Sequence, residues 1–461
     1  MTGFGYYGQV FGATFGTDFA LTSGSKVAFI GDSIVQQGLA ASSGEIDITA
    51  RSGLSWAQIL DPRFRHPNSW VPSSTDSRGF TGYNHGMVGE TTAQMLARIG
   101  AVLAQNPDIV LIAGGTNDVA AGLSAATIIA NLDAMASAAL QANRRVGLLT
   151  IRPRATTGVG SLPVGDAKWA VFHSVNQWIR AQNRPRLVPI DLTALLSDGT
   201  TDVSGNGSGW FYRADPAYLF DNVHLSHLGG WQEGKAIRSY LAQQIAPDLV
   251  VASDPLAAGN GLPAAALAGT AGTISATGTG IAGQIATGWQ IRRYEGDGGS
   301  VNCTKELVGN GLEKQVLTLA AGSSTSAYET HALRPNPDLI TLASLGWAAG
   351  DWVQFGCQVE VGAWDRWRMF RSRINFINGA STPIFFAVTL PFLSGADSLP
   401  MPYPSEPWSG WLMTPPVPVP SGTVSLAPAL EIRAQHKDAT GSGIIRISRP
   451  SLRRIAAPAY A

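Results

Sequence analysis

The chain is poor in charge and nearly devoid of cysteine. Of its 461 residues 14% are charged, and 32 basic side chains balance 32 acidic ones. A net charge of zero excludes the basic footprint of a nucleic-acid or anionic-membrane partner. Two cysteines, Cys303 and Cys357, are too few for a disulfide framework and lack metal-ligand spacing. One bridge or two buried thiols remain, and the thiols are favoured because free cysteine is commonly buried. No run approaches the roughly 20 apolar residues of a membrane span. The stretch Met1–Phe19 has no basic start ahead of an apolar core, so it does not read as a secretory leader. There is no G-x-S-x-G elbow, P-loop, H-E-x-x-H or G-x-G-x-x-G that joins a strand to a helix, and no clear internal repeat.

What is present supports a sizeable core. Hydrophobic residues make up 45% of the chain, and the length predicts two domains or more. The 53 glycines and 27 prolines point to many loops and turns. Residues 1–24 read either as a Gly/aromatic arm that would pack on the body or on a partner chain, a pattern compatible with a homo-oligomer, or as a loosely ordered leader. Residues 25–246 alternate strand-like and helix-like segments. Residues 247–262 are small, rich in Pro and Gly, and read as a linker. Residues 263–461 consist of short alternating stretches between turn signals and read as an all-β sandwich, a jelly roll.

In the first unit the strand candidates are Val27–Ile30, Phe80–Asn84, Asp108–Ala113, Arg145–Ile151 and Arg186–Ile190. The helix candidates are Ser55–Leu60, Thr91–Gln105, Ala125–Ala142, Asp166–Gln182 and His227–Ile245. Runs such as IVLIA and VGLLTI are apolar throughout, as strands covered on both faces are. Their alternation with helices predicts an α/β fold with a parallel sheet between helix layers.

Several short motifs fall at the ends of those strands. The run Val27–Ile30 stops at Gly31-Asp32-Ser33, which delivers a serine to the carboxyl end of a sheet, where open α/β folds keep their chemistry. Asn84-His-Gly-Met-Val-Gly89-Glu-Thr91 opens a helix, and Gly89 can offer its backbone N–H unobstructed. Gly114-Gly115-Thr116-Asn117-Asp118 follows the strand DIVLIA and can point the Asn117 amide into the same cleft. In Asp221-Asn222-Val223-His224 the carboxylate can accept from His224 Nδ1, which frees Nε2 to take a proton from a serine hydroxyl. His227 is the local competitor but has no Asp three residues before it. His66, His85 and His173 also lack that partner, although His85 lies within the second motif and could line the cleft. Each motif alone reads as an ordinary turn or cap.

Together, in this order, they resemble the SGNH hydrolase family, the GDSL-type lipases and esterases. The resemblance covers about residues 25–246 and is silent on residues 262–461. The nucleophile block is GDSI rather than GDSL, a conservative change. The resemblance implies a three-layer α/β/α flavodoxin-like fold. It also implies Ser33 as nucleophile, His224 as general base, Asp221 as its partner, and an oxyanion hole from Ser33 N–H, Gly89 N–H and the Asn117 amide. No metal or organic cofactor is required by such a mechanism.

The substrate expectation is an acylated small molecule or an acetylated glycan. The loops Ala40–Ile48, Arg63–Arg78 and Thr201–Asp215 are polar with a few aromatics, and Trp70, Trp210, Phe211 and Tyr212 could stack on sugar rings. The C-terminal unit holds Trp289, Trp347, Trp352, Trp364, Trp367, Trp408 and Trp411, and its segment GAWDRWRMFRSR mixes Trp with Arg, a pattern suited to glycans and equally to a structural or oligomerising domain. Two alternatives stand beside a carbohydrate acetylesterase: a lipase-type esterase for longer acyl chains, and a virion or cell-surface polysaccharide-recognition protein with secondary or absent esterase activity. An extracellular or virion-associated address is the expectation.

Overall fold

A computed structural model describes residues 21–22, 25–36, 45–46, 53–61, 83–199, 214–246, 259–277, 279–295, 298–320, 322, 328–362, 367–388, 406–414, 416–435 and 442–457. The N-terminal arm up to residue 20, most of the expected linker (247–258), Trp70 and Trp210–Tyr212 lie outside the described residues.

The first unit runs β1 (Val27–Gly31), α1 (Ser33–Gln36), β2 (Glu45–Ile46), α2 (Gly53–Leu60), β3 (Asn84–Gly86), α3 (Thr92–Ala97), α4 (Ile99–Ala104), β4 (Ile109–Ala113), α5 (Thr116–Ala120), α6 (Ala125–Gln141), β5 (Arg145–Leu149), α7 (Lys168–Arg180), β6 (Leu187–Ile190), α8 (Thr193–Leu196) and α9 (His227–Gln244). Five strands form one parallel sheet in the order β3-β1-β4-β5-β6. Alternate strand residues feed two cores. Ala28, Ile30, Val110, Ile112, Val146 and Leu148 pack on the α3, α4, α6 and α7 side. Val27, Phe29, Ile109 and Leu111 pack with Leu54, Ile237 and Leu241 on the α2 and α9 side. This two-sided burial is why the strands are apolar at every position. The chain order reverses about β1, whose neighbours are β3 and β4, and it is at the carboxyl end of such a switch point that open α/β sheets bind ligands.

Three expected elements differ in extent. The helix expected over Thr91–Gln105 is two helices, broken at Arg98 (φ −116°, ψ 7°), whose side chain turns back toward β1 and β3. The strand expected to run to Ile151 leaves the sheet after Leu149, and the residues beyond carry Arg152 and Arg154 under the site. For the strand expected at Phe80–Asn84, the paired residues are Asn84–Gly86, and 80–82 lie outside the described residues.

Among the described residues the second unit is β apart from α10 (Leu342–Leu345), and its two sheets are sandwich-like. It comprises β7 (Ala271–Ile274), β8 (Ile281–Gly283), β9 (Ile285–Glu295), β10 (Ser300–Gly309), β11 (Leu312–Ala320), β12 (Tyr328–Pro335), β13 (Ile340–Thr341), β14 (Trp352–Val361), β15 (Trp367–Asn378), β16 (Pro383–Val388), β17 (Trp408–Met413), β18 (Val417–Pro418), β19 (Thr423–Gln435) and β20 (Ser442–Ile455). One sheet runs β17-β14-β20-β11-β10-β8 and the other β2-β16-β15-β19-β12-β9-β7. Period-two alternation sends Val353, Phe355, Cys357, Val359 and Val361 of β14 into the core, with Leu426, Leu430 and Ile432 of β19. Cys303 and Cys357 are free, buried thiols, and burial pushes both up to about 12. The end of the expected linker is seated on β20, where Gly261 N–H donates to Leu452 O at 2.7 Å.

The two units are joined by more than covalent connection. The short strand β2 from the first unit pairs in parallel with β16. Trp56 of α2 and Trp231 of α9 belong to the sandwich core cluster. Trp231 meets Trp56 edge-on at 5.1 Å and Trp408 of β17 at 6.2 Å. Beside them Gln232 and Lys235 both donate to Glu406, at 3.1 and 2.9 Å. No helix among the described residues is long and apolar enough to cross a membrane.

Candidate active site

Ser33 begins α1 directly after β1 and is half-buried. The approach is tight, since a Cβ on Gly31 would lie 2.3 Å from Val35 Cγ2 and 2.7 Å from Ala113 O. The buried Asp32 carboxylate closes the turn by accepting Ile34 N–H at 2.9 Å. Burial raises the Asp32 pKa, against the pull of Arg152, the Ile34 hydrogen bond, His224 and Arg154. Arg152 itself is bound by Glu233 of α9 through Nε at 2.5 Å and Nη2 at 2.6 Å, both side chains being buried. Such a pair beneath a reactive turn holds geometry more than it adds stability.

His224 reaches Ser33 across the cleft, with Nε2 at 2.8 Å from Ser33 Oγ. Its Nδ1 is 2.7 Å from Asp221 Oδ2. An ionised carboxylate only accepts, so Nδ1 carries the proton and Nε2 accepts from the serine hydroxyl. Asp221 Oδ1 also accepts the backbone N–H groups of Val223 and His224, each at 2.7 Å. Burial alone would raise the Asp221 pKa, but these bonds and the His224 charge hold it below the ordinary carboxylate value. The turn is braced from outside. Asn222 Nδ2 donates to Val159 O at 2.9 Å, and Ala155 N–H donates to Asn222 O at 3.1 Å. After the turn, Ser226 Oγ caps α9 by accepting Gly229 N–H at 3.1 Å.

Two further segments border Ser33. Gly89 is exposed at φ +75°, and a Cβ placed there would meet no atom within 4 Å. A left-handed glycine on an open loop leaves its amide accessible to a small ligand. The Asn117 amide donates to Glu90 O at 2.9 Å, which ties this loop to the end of β4. Asp118 is buried and accepts Thr92 N–H at 2.9 Å and Thr92 Oγ1 at 2.5 Å. Arg98 grips Glu90 through Nε at 2.9 and 2.8 Å, and its Nη2 reaches His85 O at 2.5 Å and Gly31 O at 3.2 Å. The three motifs after β1, β3 and β4 are therefore cross-linked by hydrogen bonds.

His85 does not join the Ser33–His224–Asp221 chain. It is buried, with Nε2 on Gln105 Oε1 at 2.9 Å, and burial pulls its pKa down to about 4, with Arg98 adding to the effect and Gln105 opposing it. Trp210, expected to meet substrate, lies outside the described residues, as do Arg63–Arg78 and most of the Thr201–Asp215 loop. Sequence reasoning missed Asp32, Arg98, Asp118, Arg152 and Arg154. Arg154 donates from Nε to Thr116 Oγ1 at 2.8 Å and from Nη1 to Gly160 O at 3.0 Å. The usable signal was charge within short motifs, since Asp32 and Asp118 each directly flank a predicted site residue. Among the described residues no group of three or more His, Cys, Asp or Glu could hold a metal ion.

This arrangement can deprotonate a serine hydroxyl. Residues 29–231 match the model of the GDSL-like Lipase/Acylhydrolase family. Among solved structures, a lipase/acylhydrolase from Enterococcus faecalis is 22% identical, covering 49% of this chain and 98% of that one with a TM-score of 0.34. A carbohydrate esterase family 3 protein from Talaromyces cellulolyticus is 23% identical, covering 48% and 97% with a TM-score of 0.31. A catalytic mutant of an acetylxylan esterase from Geobacillus stearothermophilus is 20% identical, covering 50% and 100% with a TM-score of 0.32. No curated protein matches the chain.

Proposed function

We propose that the chain is a serine esterase that removes short acyl groups, chiefly acetyl, from a carbohydrate, a reading supported by the match of residues 29–231 to the GDSL-like lipase/acylhydrolase family. The observation that carries the esterase reading is the hydrogen-bonded chain from Ser33 Oγ through His224 to Asp221, at 2.8 and 2.7 Å.

In this mechanism Ser33 Oγ attacks the ester carbonyl carbon as His224 Nε2 takes the hydroxyl proton. Asp221 keeps Nδ1 protonated and balances the imidazolium. The carbonyl oxygen becomes an oxyanion and receives hydrogen bonds from Ser33 N–H, Gly89 N–H and the Asn117 amide. Collapse breaks the bond to the leaving alkoxide, which takes the proton from His224. Water then adds to the acyl-serine under the same base, and the carboxylate leaves with Ser33 restored.

The acetyl and carbohydrate parts of the reading rest on the polar, aromatic-bearing sequences of the loops Ala40–Ile48, Arg63–Arg78 and Thr201–Asp215. One observation favours longer acyl chains instead. Met87 and Val88, beside Gly89, and Phe220, beside Asp221, are exposed apolar side chains. A p-nitrophenyl ester series from acetyl to octanoyl, followed by acetate release from acetylated polysaccharides, separates the two. The proposal expects kcat/KM to peak at acetyl and acetate to be released from at least one glycan. A peak at octanoyl would replace the carbohydrate reading with a lipase-type one. Ser33→Ala is expected to abolish turnover with an unchanged melting temperature, and retained turnover would refute the serine mechanism.

A further inference from the structure

The outer face of the β15-β19-β12-β9 sheet gathers cations that the chemistry at Ser33 does not use. Across one row, Arg371 of β15 lies opposite Glu431 of β19, which lies opposite Ala332 of β12, which lies opposite Arg292 of β9. Two residues further along the same face stand Arg373, opposite Ala429, and Arg334, opposite Gln290. The intervening residues Leu333, Leu430 and Ile291 point into the sandwich core, so these arginines point away from it. Two of the four come from GAWDRWRMFRSR, the Trp/Arg segment singled out in the sequence.

The arginines on the two sides of this face differ in their partners. Glu431 takes Arg371 Nε at 2.5 Å and Arg373 Nη2 at 2.8 Å. On the other side, Arg292 and Arg334 converge on one ring, with guanidinium carbons 4.0 and 5.9 Å from the Tyr294 centroid. Arg334 is 91% buried, donates to Tyr294 Oη at 3.3 Å and pairs with Asp338 at 2.6 Å. No carboxylate among the described residues pairs with Arg292. The Nε atoms of both Arg292 and Arg334 are buried without an acceptor. Burial pushes the Arg334 pKa down, and Arg292 and Arg373 add to this against the pull of Tyr294 and Asp338. Buried donors without acceptors are uncommon and costly, and a guanidinium fork matches the two oxygens of a carboxylate or sulfate.

We propose that Arg292 and Arg334, both packed against Tyr294, form a binding site for a carboxylate or sulfate group, as carried by an acidic saccharide. Tyr294 remains 36% exposed and gives the site an open side. The bound oxyanion accepts from the two unmatched Nε–H groups and offsets the repulsion between the guanidiniums. The site lies in the second unit and stands independently of the esterase assignment.

Calorimetric titration of the full chain at low ionic strength tests it, with sodium glucuronate, sodium sulfate, a polyuronate and glucose as probes. Glucuronate and sulfate are expected to bind at one site and glucose not to bind. Arg292→Gln is expected to weaken glucuronate binding at least tenfold, and Asp338→Asn, which removes the competing carboxylate, to tighten it. Hydrolysis of p-nitrophenyl acetate is expected to stay unchanged in both. A polyuronate that binds more tightly than glucuronate identifies a polysaccharide as the source of the anion, and equal affinities identify a free small anion. Absence of binding by glucuronate and sulfate, or affinity unaltered in Arg292→Gln, overturns the proposal. Should Arg292→Gln fold poorly, the direction of change in Asp338→Asn decides.

Discussion

The Asn117 side chain donates to the backbone carbonyl of Glu90 at 2.9 Å. A carbonyl cannot donate, so the contacting atom must be the amide nitrogen, and this fixes which way the side chain faces. The second hydrogen on that nitrogen is then held in place before any substrate arrives. Asn117→Ala is expected to lower kcat by about 10²–10³ with little change in KM, because the donor acts on charge that develops in the transition state. Steady-state kinetics on p-nitrophenyl acetate measure this, and a change confined to KM would remove Asn117 from the oxyanion hole.

Asp118 serves the same region from below. It holds Thr92 by both its N–H and its hydroxyl, and Thr92 opens the helix immediately after the Gly89 loop. Asp118→Asn turns one acceptor into a donor in a buried position. The expected result is a loss of about 1–3 kcal/mol in urea unfolding together with a lower kcat. Wild-type stability would show that the carboxylate does not anchor the loop.

Gly158 packs against the Asp221–His224 turn. Its φ is +97°, and an added Cβ would lie 2.3 Å from Asn222 Nδ2. Gly158→Ala is expected to carry about 1–3 kcal/mol of backbone strain and to displace Asn222. The displacement reaches His224, so kcat should fall while the far-UV spectrum is retained. Unaltered kinetics would mean that the brace is not needed.

His85 makes stability depend on pH. Its folded pKa of about 4 lies below the ordinary 6.5, so the unfolded chain takes up the proton first as pH falls. The contribution is full above pH 6.5 and is lost as pH drops toward 4, with a ceiling of about 3 kcal/mol. His85→Gln is expected to flatten the decline of the urea midpoint between pH 6.5 and 4, and parallel declines in mutant and wild type would count against it.

Much of the first unit was legible because its strands are buried on both faces, which makes IVLIA and VGLLTI stand out as continuous apolar runs. Ser33, Asp221 and His224 were legible because each lies in a short motif at a strand or turn boundary. The supporting groups were not. Arg98 meets Glu90 from eight positions away, and Arg152 meets Glu233 across 81 positions. Nothing local marks either pairing. The break at Arg98 was hidden for the same reason, since helical periodicity carries no record of a side chain that leaves its own helix. The sandwich was legible as alternation and turns, whereas the charged outer row emerged only once register aligned Arg292, Ala332, Glu431 and Arg371.

The tryptophan contact between the units, Trp56–Trp231–Trp408, has a consequence for how the molecule comes apart. Helix α9 presents Glu233 to Arg152 on one side and Trp231 to the sandwich on the other. Cutting the chain between the units would expose three large indoles, Trp56, Trp231 and Trp408, at this seam. Melting one half withdraws the other's packing, and calorimetry should register a single merged endotherm where two tethered modules would give two.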